Sequence, residues 1–84
     1  MALQELWESN RVVGMRQTLK TLQRGRASKV FVASDVDSEM LEKIISLAKE
    51  KGVSLEYVDS SAELGKACGI EVGASCAAIL KDER

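Results

Sequence analysis

Two glycine-containing segments hold the groups in this chain that are best suited to binding a phosphate. One segment runs from Gly14 to Lys20 and the other from Leu64 to Gly73. In each, glycine, lysine and polar groups fall at a predicted helix end, where backbone amides can meet an anion. These residues are therefore suited to non-covalent binding of phosphate-bearing ligands, and the lysines supply the positive charge.

The composition excludes several kinds of catalytic and metal site. The chain has no histidine, so neither a Ser/His nor a Cys/His nucleophile system can be assembled. A zinc site would lack nitrogen ligands and the usual closely spaced pair of cysteines. Cys68 lies near a predicted helix end and Cys76 in an apolar run, and we expect both to be buried, reduced thiols. The expectation is a non-enzymatic protein with no cofactor and no metal ion.

The net charge of −1 conceals a strongly basic segment. Residues 10–34 hold six basic side chains and no acidic one, whereas the rest of the chain holds the other six basic side chains and all thirteen acidic ones. Because binding depends on the local electric field, this segment is a candidate surface for a polyanion. The alternative is a solvated helix face that keeps the protein soluble. The basic residues of the segment are Arg11, Arg16, Lys20, Arg24, Arg26 and Lys29.

The length favours a single small domain that spans residues 1–84, with little room for a deep, water-free active site. No apolar run approaches the ~20 residues that a membrane-spanning helix requires. The stretch from Ala2 to Glu8 is acidic and amphipathic, unlike a signal peptide. We therefore expect a cytoplasmic protein that does not bind membranes.

The hydrophobic pattern predicts helices and strands in alternation. A short first helix is indicated by Leu3, Leu6 and Trp7, which are spaced i, i+3, i+4. The predicted strands are Arg11 to Val13, Lys29 to Ala33, Ser54 to Val58 and Ser75 to Leu80. The later predicted helices run from Gly14 to about Arg24, from a cap at Asp35, Asp37 or Ser38 to Gly52, and from Ser60 to Gly69. The core side of the middle one of these is predicted to be Met40, Leu41, Ile44, Ile45, Leu47 and Ala48.

This order predicts an α/β fold, a three-layer α-β-α sandwich with helices on both faces of a sheet. The β-branched and aromatic strand around Phe31 is expected to be central. The alanine-rich last strand also suits a central position, because small side chains let helices approach closely from both sides. The order of the strands in the sheet does not follow from the sequence alone.

The two glycine-containing segments resemble the two halves of an RNA-binding surface in the kink-turn-binding ribosomal-protein superfamily, especially its small bacterial YbxF-type members. The likeness runs from about Arg11 to Ile79. The segment Leu64 to Val72 carries the family signature Leu-Gly-Lys/Arg-Ala-x-Gly, followed by an apolar residue, a variable one and Val. In the other segment Gly14 and Lys20 match the family pattern, whereas Arg16 replaces an Asn and Gln17 a Glu. The resemblance implies a mixed four-stranded sheet whose last strand is antiparallel to its neighbours.

The resemblance also implies roles for individual residues. Side chains at the positions of Arg16, Gln17 and Lys20 read guanine edges in the tandem sheared G·A pairs of a kink-turn, and ammonium donors suit guanine O6 and N7. The loop from Ile70 to Gly73 would lie against those pairs and a base flipped out of the bulge, where apolar side chains fit an unstacked base. Asp37 corresponds to an acidic position near that base. The implied RNA-binding set is Gly14, Arg16, Gln17, Lys20, Arg24, Lys29, Asp37, Lys66, Ile70, Glu71, Val72 and Gly73, with Arg24, Lys29 and Lys66 on phosphates.

The leading hypothesis is a monomeric protein that recognises and stabilises a kink-turn in structured RNA, such as ribosomal RNA or a riboswitch, and does not bind DNA. One alternative is a small phosphate- or nucleotide-binding domain that uses the loop from Gly65 to Gly73, although its glycines do not match the dinucleotide or P-loop spacing. Another is a protein-interaction subunit whose basic helix docks on an acidic partner. For single residues, Gly65 and Gly73 could be packing glycines, Ile70 and Val72 core residues, and Asp37 a plain helix cap.

Overall fold

The chain folds into alternating strands and helices, as the hydrophobic pattern predicts. The computed structural model describes residues 10–70 and 72–81. Its strands are β1 (Arg11–Val13), β2 (Ala27–Ala33), β3 (Ser54–Val58) and β4 (Cys76–Leu80). Its helices are α1 (Met15–Gln23), α2 (Glu39–Glu50) and α3 (Ser61–Ala67). The predicted helix around Leu3, Leu6 and Trp7 lies outside the described residues.

The strands form one mixed sheet in the order β1-β4-β2-β3. Strand β4 is antiparallel to both β1 and β2, whereas β2 and β3 are parallel. The expected antiparallel last strand is therefore confirmed. The central positions of β2 and β4 are confirmed as well. In β4 Cys76, Ala77 and Ala78 have no exposed surface, so their small side chains allow layers to pack on both sides.

Helices cover both faces of the sheet, which makes the predicted three-layer sandwich. Val30 and Val32 of β2 face a core shared with α1 and α2, while Phe31 and Ala33 alternate onto the opposite core with α3. Each core contains one cysteine: Cys68 belongs to the core on the α3 side of the sheet, and Cys76 to the core on the side of α1 and α2. Both are buried as predicted. None of the helices in the described part of the chain is long and apolar enough to cross a membrane.

Most helix boundaries agree with the sequence prediction, and one core assignment does not. The Ser60 hydroxyl accepts a hydrogen bond from the Glu63 amide (3.1 Å), as the capping pattern predicts for α3. Among the three candidate caps of α2, Ser38 occupies the position. The prediction that Met40 belongs to the core is wrong, because Met40 lies in the first turn of α2 with 36% of its surface exposed. Leu41, Ile44 and Ala48 are buried as predicted, and Ile45 and Leu47 are partly buried against the same core.

All three helices begin at the same end of the sheet. We call this the upper end: it is where β1, β2 and β3 finish and β4 starts. It comprises residues 14–17, 34–39, 59–61 and 72–76. The opposite, lower end comprises residues 23–28, 49–54 and 80–81. Because a helix carries partial positive charge at its amino terminus, the upper end collects three such termini.

Candidate nucleic-acid interface

The amino terminus of α1 is built around Gly14. This residue has φ 98° and ψ 158°, a conformation that side-chain-bearing residues rarely adopt. Its amide donates to the carbonyl of Cys76 (2.9 Å), which fixes the start of α1 to the start of β4. No side chain caps the helix, its first turn has no acidic residue, and the space next to the Gly14 Cα is open. The helix end is therefore accessible and electropositive, which suits an anion.

The outward side of α1 carries the predicted basic and polar residues. Arg16, Gln17 and Lys20 are exposed. The inward side is formed by Leu22 together with Thr18 and Thr21, which are buried polar residues. The Thr21 hydroxyl donates to the carbonyl of Gln17 (2.8 Å), so this threonine is satisfied within its own helix. Burial of the opposite side thus holds Arg16, Gln17 and Lys20 toward solvent.

The loop that follows α3 presents apolar side chains to solvent. Gly69, at φ 79°, ends the helix as predicted. The amide of Ile70 then donates to the carbonyl of Gly65 (3.0 Å). Ile70 is 36% exposed and Val72 is 70% exposed, so both are accessible in the free protein and neither is a core residue. Glu71 lies outside the described residues.

Two glycines let this loop pack closely along α3. A Cβ atom on Gly65 would overlap the carbonyl oxygen of Val72, so a side chain cannot be added there without moving the loop. A Cβ atom on Gly73 would stand 3.1 Å from the Ser61 hydroxyl oxygen. Both glycines therefore have packing roles, and those roles determine where the exposed Val72 side chain is held.

A hydrogen-bonded bridge joins the loop to the end of β2. The Asp35 carboxylate accepts the backbone amide of Ser61 (2.9 Å) and the Ser61 hydroxyl (3.4 Å). The Ser61 carbonyl in turn accepts the amide of Ala74 (3.0 Å). The sequence pattern predicts Asp35 only as a candidate cap for the helix that follows it. Its actual partner is distant in the sequence, and no local pattern signals that contact.

Arg11 anchors the other end of α3. Its guanidinium donates to the carbonyl of Cys68 (2.9 Å), the last residue before Gly69. Such a contact opposes the partial negative charge at a helix carboxyl terminus. Burial raises the pKa of the Cys68 thiol, and the positive charge of Arg11 offsets part of that rise. Burial also raises the pKa of the Cys76 thiol, and the nearby polar side chains of Thr18 and Ser75 offset part of that rise. Both cysteines are free and buried.

The fold brings some of the predicted site residues together and leaves others apart. Gly14, Arg16, Gln17, Asp37, Val72 and Gly73 lie at the upper end, with Lys20 one turn further along α1 and Ile70 at the start of the loop. Arg24 caps the far end of α1, about 12 Å along the helix axis from Arg16. Lys66 lies in the last turn of α3. Lys29 lies low on β2, 3.1 Å from Glu56 and 5.2 Å from the centre of the Phe31 ring.

The arrangement brings the basic side chains of Arg16 and Lys20, the open amides of α1 and the exposed side chain of Val72 together near one end of the sheet. The same end also carries four carboxylates, those of Asp35, Asp37, Glu39 and Asp59, so its positive charge is confined to α1. Positive groups attract phosphates, and apolar side chains contact bases that have left the helical stack. Among the described residues, no group of three or more Cys, Asp or Glu side chains could hold a metal ion.

Comparison with known proteins places these features in a family. The model of the ribosomal protein L7Ae/L30e/S12e/Gadd45 family matches residues 2–84. The chain is 46% identical over 70 residues to RNA-binding protein YbxF of Geobacillus stearothermophilus, covering 83% of this chain and 85% of that protein. It is 43% identical over 68 residues to large ribosomal subunit protein eL8 of Halobacterium salinarum, covering 80% of this chain and 57% of that protein.

A solved structure has the same fold. The 15.5kD RNA binding protein of Giardia lamblia superimposes with a TM-score of 0.83 at 27% sequence identity. The superposition covers 96% of this chain and 69% of the other.

Proposed function

The chain belongs to the ribosomal protein L7Ae/L30e/S12e/Gadd45 family, and on that basis we propose that it is a non-enzymatic RNA-binding protein. We further propose that it recognises and stabilises kink-turn RNA, acting as a single domain and as a monomer in the cytoplasm. RNA is the ligand class in the names of relatives that are 46% identical to it. The kink-turn is the finer part of the proposal, and it rests on the residues of the upper end.

The observation that carries the proposal is the meeting of two segments that are far apart in the sequence. The uncapped start of α1, with Arg16 and Lys20 on its outward side, joins β4 through the hydrogen bond from Gly14 to Cys76. The loop that holds the exposed Val72 leads directly into the same strand. One surface thus offers donors for phosphates and guanine edges beside apolar groups for an unstacked base.

Each side chain has a role suited to its chemistry. Lys20 donates to guanine O6 and N7 in the sheared G·A pairs, and the planar fork of Arg16 binds guanine or phosphate. Gln17 adds hydrogen bonds, and the absence of a side chain at Gly14 lets RNA approach the amides of α1. Ile70 and Val72 contact the base that leaves the bulge. The remaining proposed contacts are Asp37, Glu71 and Gly73 near that base, and Lys66 and Arg24 on phosphates.

Lys29 has a weaker claim to a phosphate contact than the other lysines. Its ammonium already lies 3.1 Å from the Glu56 carboxylate, and its side chain is only 21% exposed. Binding a phosphate would require that ion pair to open. We therefore assign Lys29 mainly to the packing of β2 against β3.

The proposed mechanism is selection of one RNA conformation. A kink-turn exchanges between extended and bent forms, and a protein that binds the bent form alone raises its population by the difference in affinity. A shift from 1% to 99% bent requires about a 10⁴-fold preference. The preformed upper end supports such a mechanism, because a rigid surface can distinguish two RNA shapes.

The glycine loop is a poor candidate for a small-molecule phosphate cradle. Gly65 packs against the Val72 carbonyl, Gly73 packs against Ser61, and Gly69 ends a helix. Each glycine thus has a structural reason that involves no ligand. The helix that begins beside the loop has its first amides bound by Ser60 and Asp35.

A fluorescence energy transfer measurement tests the proposed function. A kink-turn RNA labelled at the ends of both arms is observed in low-salt buffer without magnesium, and the protein is titrated in. We expect transfer efficiency to rise and saturate as the bent form accumulates. The same arms joined by a perfect duplex serve as the control. Binding that leaves the efficiency distribution of the kink-turn unchanged would show that the protein does not stabilise the bend.

A further inference from the structure

The lower end of the sheet carries a second group of basic side chains, of which the proposed kink-turn site uses only Arg24. Five exposed basic residues lie there, at or just beyond the ends of α1, α2 and β4 and just before β2. We call this group the lower basic patch; it consists of Arg24, Arg26, Lys49, Lys51 and Lys81.

Hydrogen bonds hold the segments that carry these residues side by side. The Lys51 ammonium donates to the carbonyl of Gln23 (3.3 Å), which joins the ends of α1 and α2. The backbone amide of Lys81 donates to the carbonyl of Arg26 (2.7 Å), which joins the end of β4 to the turn after α1. The five basic residues therefore belong to one contiguous surface although they are scattered along the sequence.

The patch has little acidic compensation. Within the described lower-end segments, 23–28, 49–54 and 80–81, Glu50 is the acidic residue. The described part of the lower end therefore carries five basic side chains against one acidic one, in a protein whose overall charge is −1.

Offsetting the helix dipoles accounts for part of this charge. Basic residues are favoured at helix carboxyl ends, which explains Arg24 on α1 and Lys49 and Lys51 on α2. It does not account for Lys81, which follows β4. A surface that attracts a polyanion accounts for all five.

A basic row along α1 connects the patch to the upper end. Arg16, Lys20 and Arg24 are all exposed and spaced four residues apart. Because a helix rises 1.5 Å per residue, they follow one another at about 6 Å along the axis. An RNA arm that leaves the upper end along this row arrives at the lower basic patch.

We propose that the lower basic patch binds the phosphate backbone of an RNA arm that extends beyond the kink-turn. This inference rests on the proposed function, because that function sets the RNA at the upper end. Contact with phosphates requires positive charge without base recognition, so the second contact is independent of sequence.

The surface chemistry favours RNA over an acidic protein as the occupant. Protein interfaces are usually centred on apolar and aromatic side chains. The large apolar side chains exposed in the described part of the chain lie elsewhere: Met40 in the first turn of α2, Tyr57 near the end of β3, and Ile70 and Val72 in the loop. The lower basic patch has charge without such a centre, as a phosphate-binding surface does.

The experiment compares two RNAs that share one kink-turn and differ only in arm length. The short RNA ends before it could reach the lower end, and the long RNA extends each arm by one helical turn. A Lys49→Gln/Lys81→Gln variant removes two charges from the patch. Lys43→Glu, on the exposed side of α2, is the control, since it changes the net charge by the same amount at a different place.

We expect wild-type protein to bind the long RNA about tenfold more tightly than the short one near 100 mM salt, with a steeper salt dependence. The double variant should lose most of that advantage, and its log–log salt slope on the long RNA should fall by about 1 to 2. Lys43→Glu should keep the advantage of the long RNA. Folding of each variant is checked by thermal unfolding.

Equal affinity of the wild-type protein for the two RNAs would overturn the inference, as would equal losses in the double variant and the control. A competing occupant is tested with protein that is already saturated with the short RNA. If that protein binds fluorescent polyglutamate more tightly than it binds plain duplex RNA, the patch is assigned to an acidic protein instead. Failure of the proposed function would give a different result. The protein would then bind kink-turn RNA and plain duplex RNA of equal length with the same affinity, whether or not arm length changes that affinity.

Discussion

Lys20 and Lys29 are the same residue type in the same basic segment, yet their surroundings differ. Lys20 is exposed on α1, one turn from the uncapped helix start. Lys29 is half-buried in the sheet, with its ammonium close to Glu56 and to the ring of Phe31. Their charge does not distinguish their roles, but their surroundings do. The exposed Lys20 is available to contact RNA, whereas the contacts of Lys29 indicate that it mainly supports the fold.

Replacing Lys20 with Ala should weaken kink-turn binding by about 1–3 kcal/mol and relax the preference for G·A pairs, because a guanine contact is lost. Lys43→Ala, which removes an exposed lysine from α2, should leave affinity nearly unchanged. Equilibrium titration with G·A and substituted RNAs measures both effects. Unaltered affinity in a Lys20→Ala protein with a normal melting temperature would remove Lys20 from the interface.

Replacing Val72 with Asp should abolish tight RNA binding and leave the fold intact. The side chain is 70% exposed, so the change should alter the free energy of unfolding by no more than about 0.5 kcal/mol. On the RNA, the new carboxylate would face a surface dense in negative charge. Thermal unfolding and RNA titration of the same sample separate the two effects. A collapse in thermal stability would mean that Val72 is a packing residue.

The two buried thiols should make the free energy of unfolding fall at alkaline pH. Burial raises the pKa of Cys68 and of Cys76 above the ordinary value of 9.0. Above 9.0 the unfolded chain loses these protons while the folded chain retains them, so folding becomes less favourable as pH rises through the raised values. Below 9.0 the contribution is fully present. Urea unfolding from pH 8 to 11 should give a shallower decline for Cys68→Ala/Cys76→Ala than for the wild type, and parallel curves would contradict this account.

At the scale of the element, α3 and the loop after it act as one unit. The loop folds back along its own helix and is held there by two backbone hydrogen bonds, from the Ile70 amide to the Gly65 carbonyl and from the Ala74 amide to the Ser61 carbonyl. At the start of the helix, the Asp35 carboxylate accepts the Ser61 amide. Arg11 fixes the opposite end through the Cys68 carbonyl. The Val72 side chain is thus displayed by a loop whose backbone is tied at several points, which limits the conformational entropy lost on binding.

Replacing Gly65 with Ala should destabilise the protein, although alanine is the better helix former. Alanine gains up to about 1 kcal/mol of helix propensity. The added Cβ, however, overlaps the Val72 carbonyl, and overpacking of this kind costs about 1–3 kcal/mol. Moving the loop should also weaken RNA binding. Urea unfolding measures the change in stability. Ala62→Gly, at an exposed position of the same helix, is the control that measures the effect of helix propensity alone. A more stable Gly65→Ala protein with full RNA affinity would refute the close contact.

The sequence predicted elements better than it predicted contacts between them. Boundaries such as Ser54 to Val58 were predictable because capping residues, glycines and hydrophobic period are local signals. Met40 was wrongly assigned to the core because hydrophobic periodicity shows which side of a helix is apolar but not which turns of that side are covered by the sheet. Met40 lies in the first turn of α2 and is exposed. The bridge from Asp35 to Ser61 depends on strand order, which the sequence alone left open. The resemblance supplied the antiparallel last strand, and the burial of Thr18 and Thr21 was found only in three dimensions.

The whole molecule separates its charges and its functions by position. The overall charge is −1, but the basic residues line α1 and the lower end while the upper end adds open helix amides and exposed apolar groups. Local field therefore decides affinity for RNA, and net charge does not. On this account the upper end sets specificity, and basic residues further along the molecule add affinity that depends on salt.

The most direct measurement is an equilibrium titration of the protein against a kink-turn RNA and a matched duplex that lacks the bulge and the G·A pairs. Both are measured in the same buffer over a range of salt concentrations. Shared phosphate contacts should give both RNAs a steep salt dependence, and contacts specific to the upper end should give the kink-turn at least about a hundredfold tighter binding at every salt concentration. Equal affinities for the two RNAs across the salt range would contradict the account.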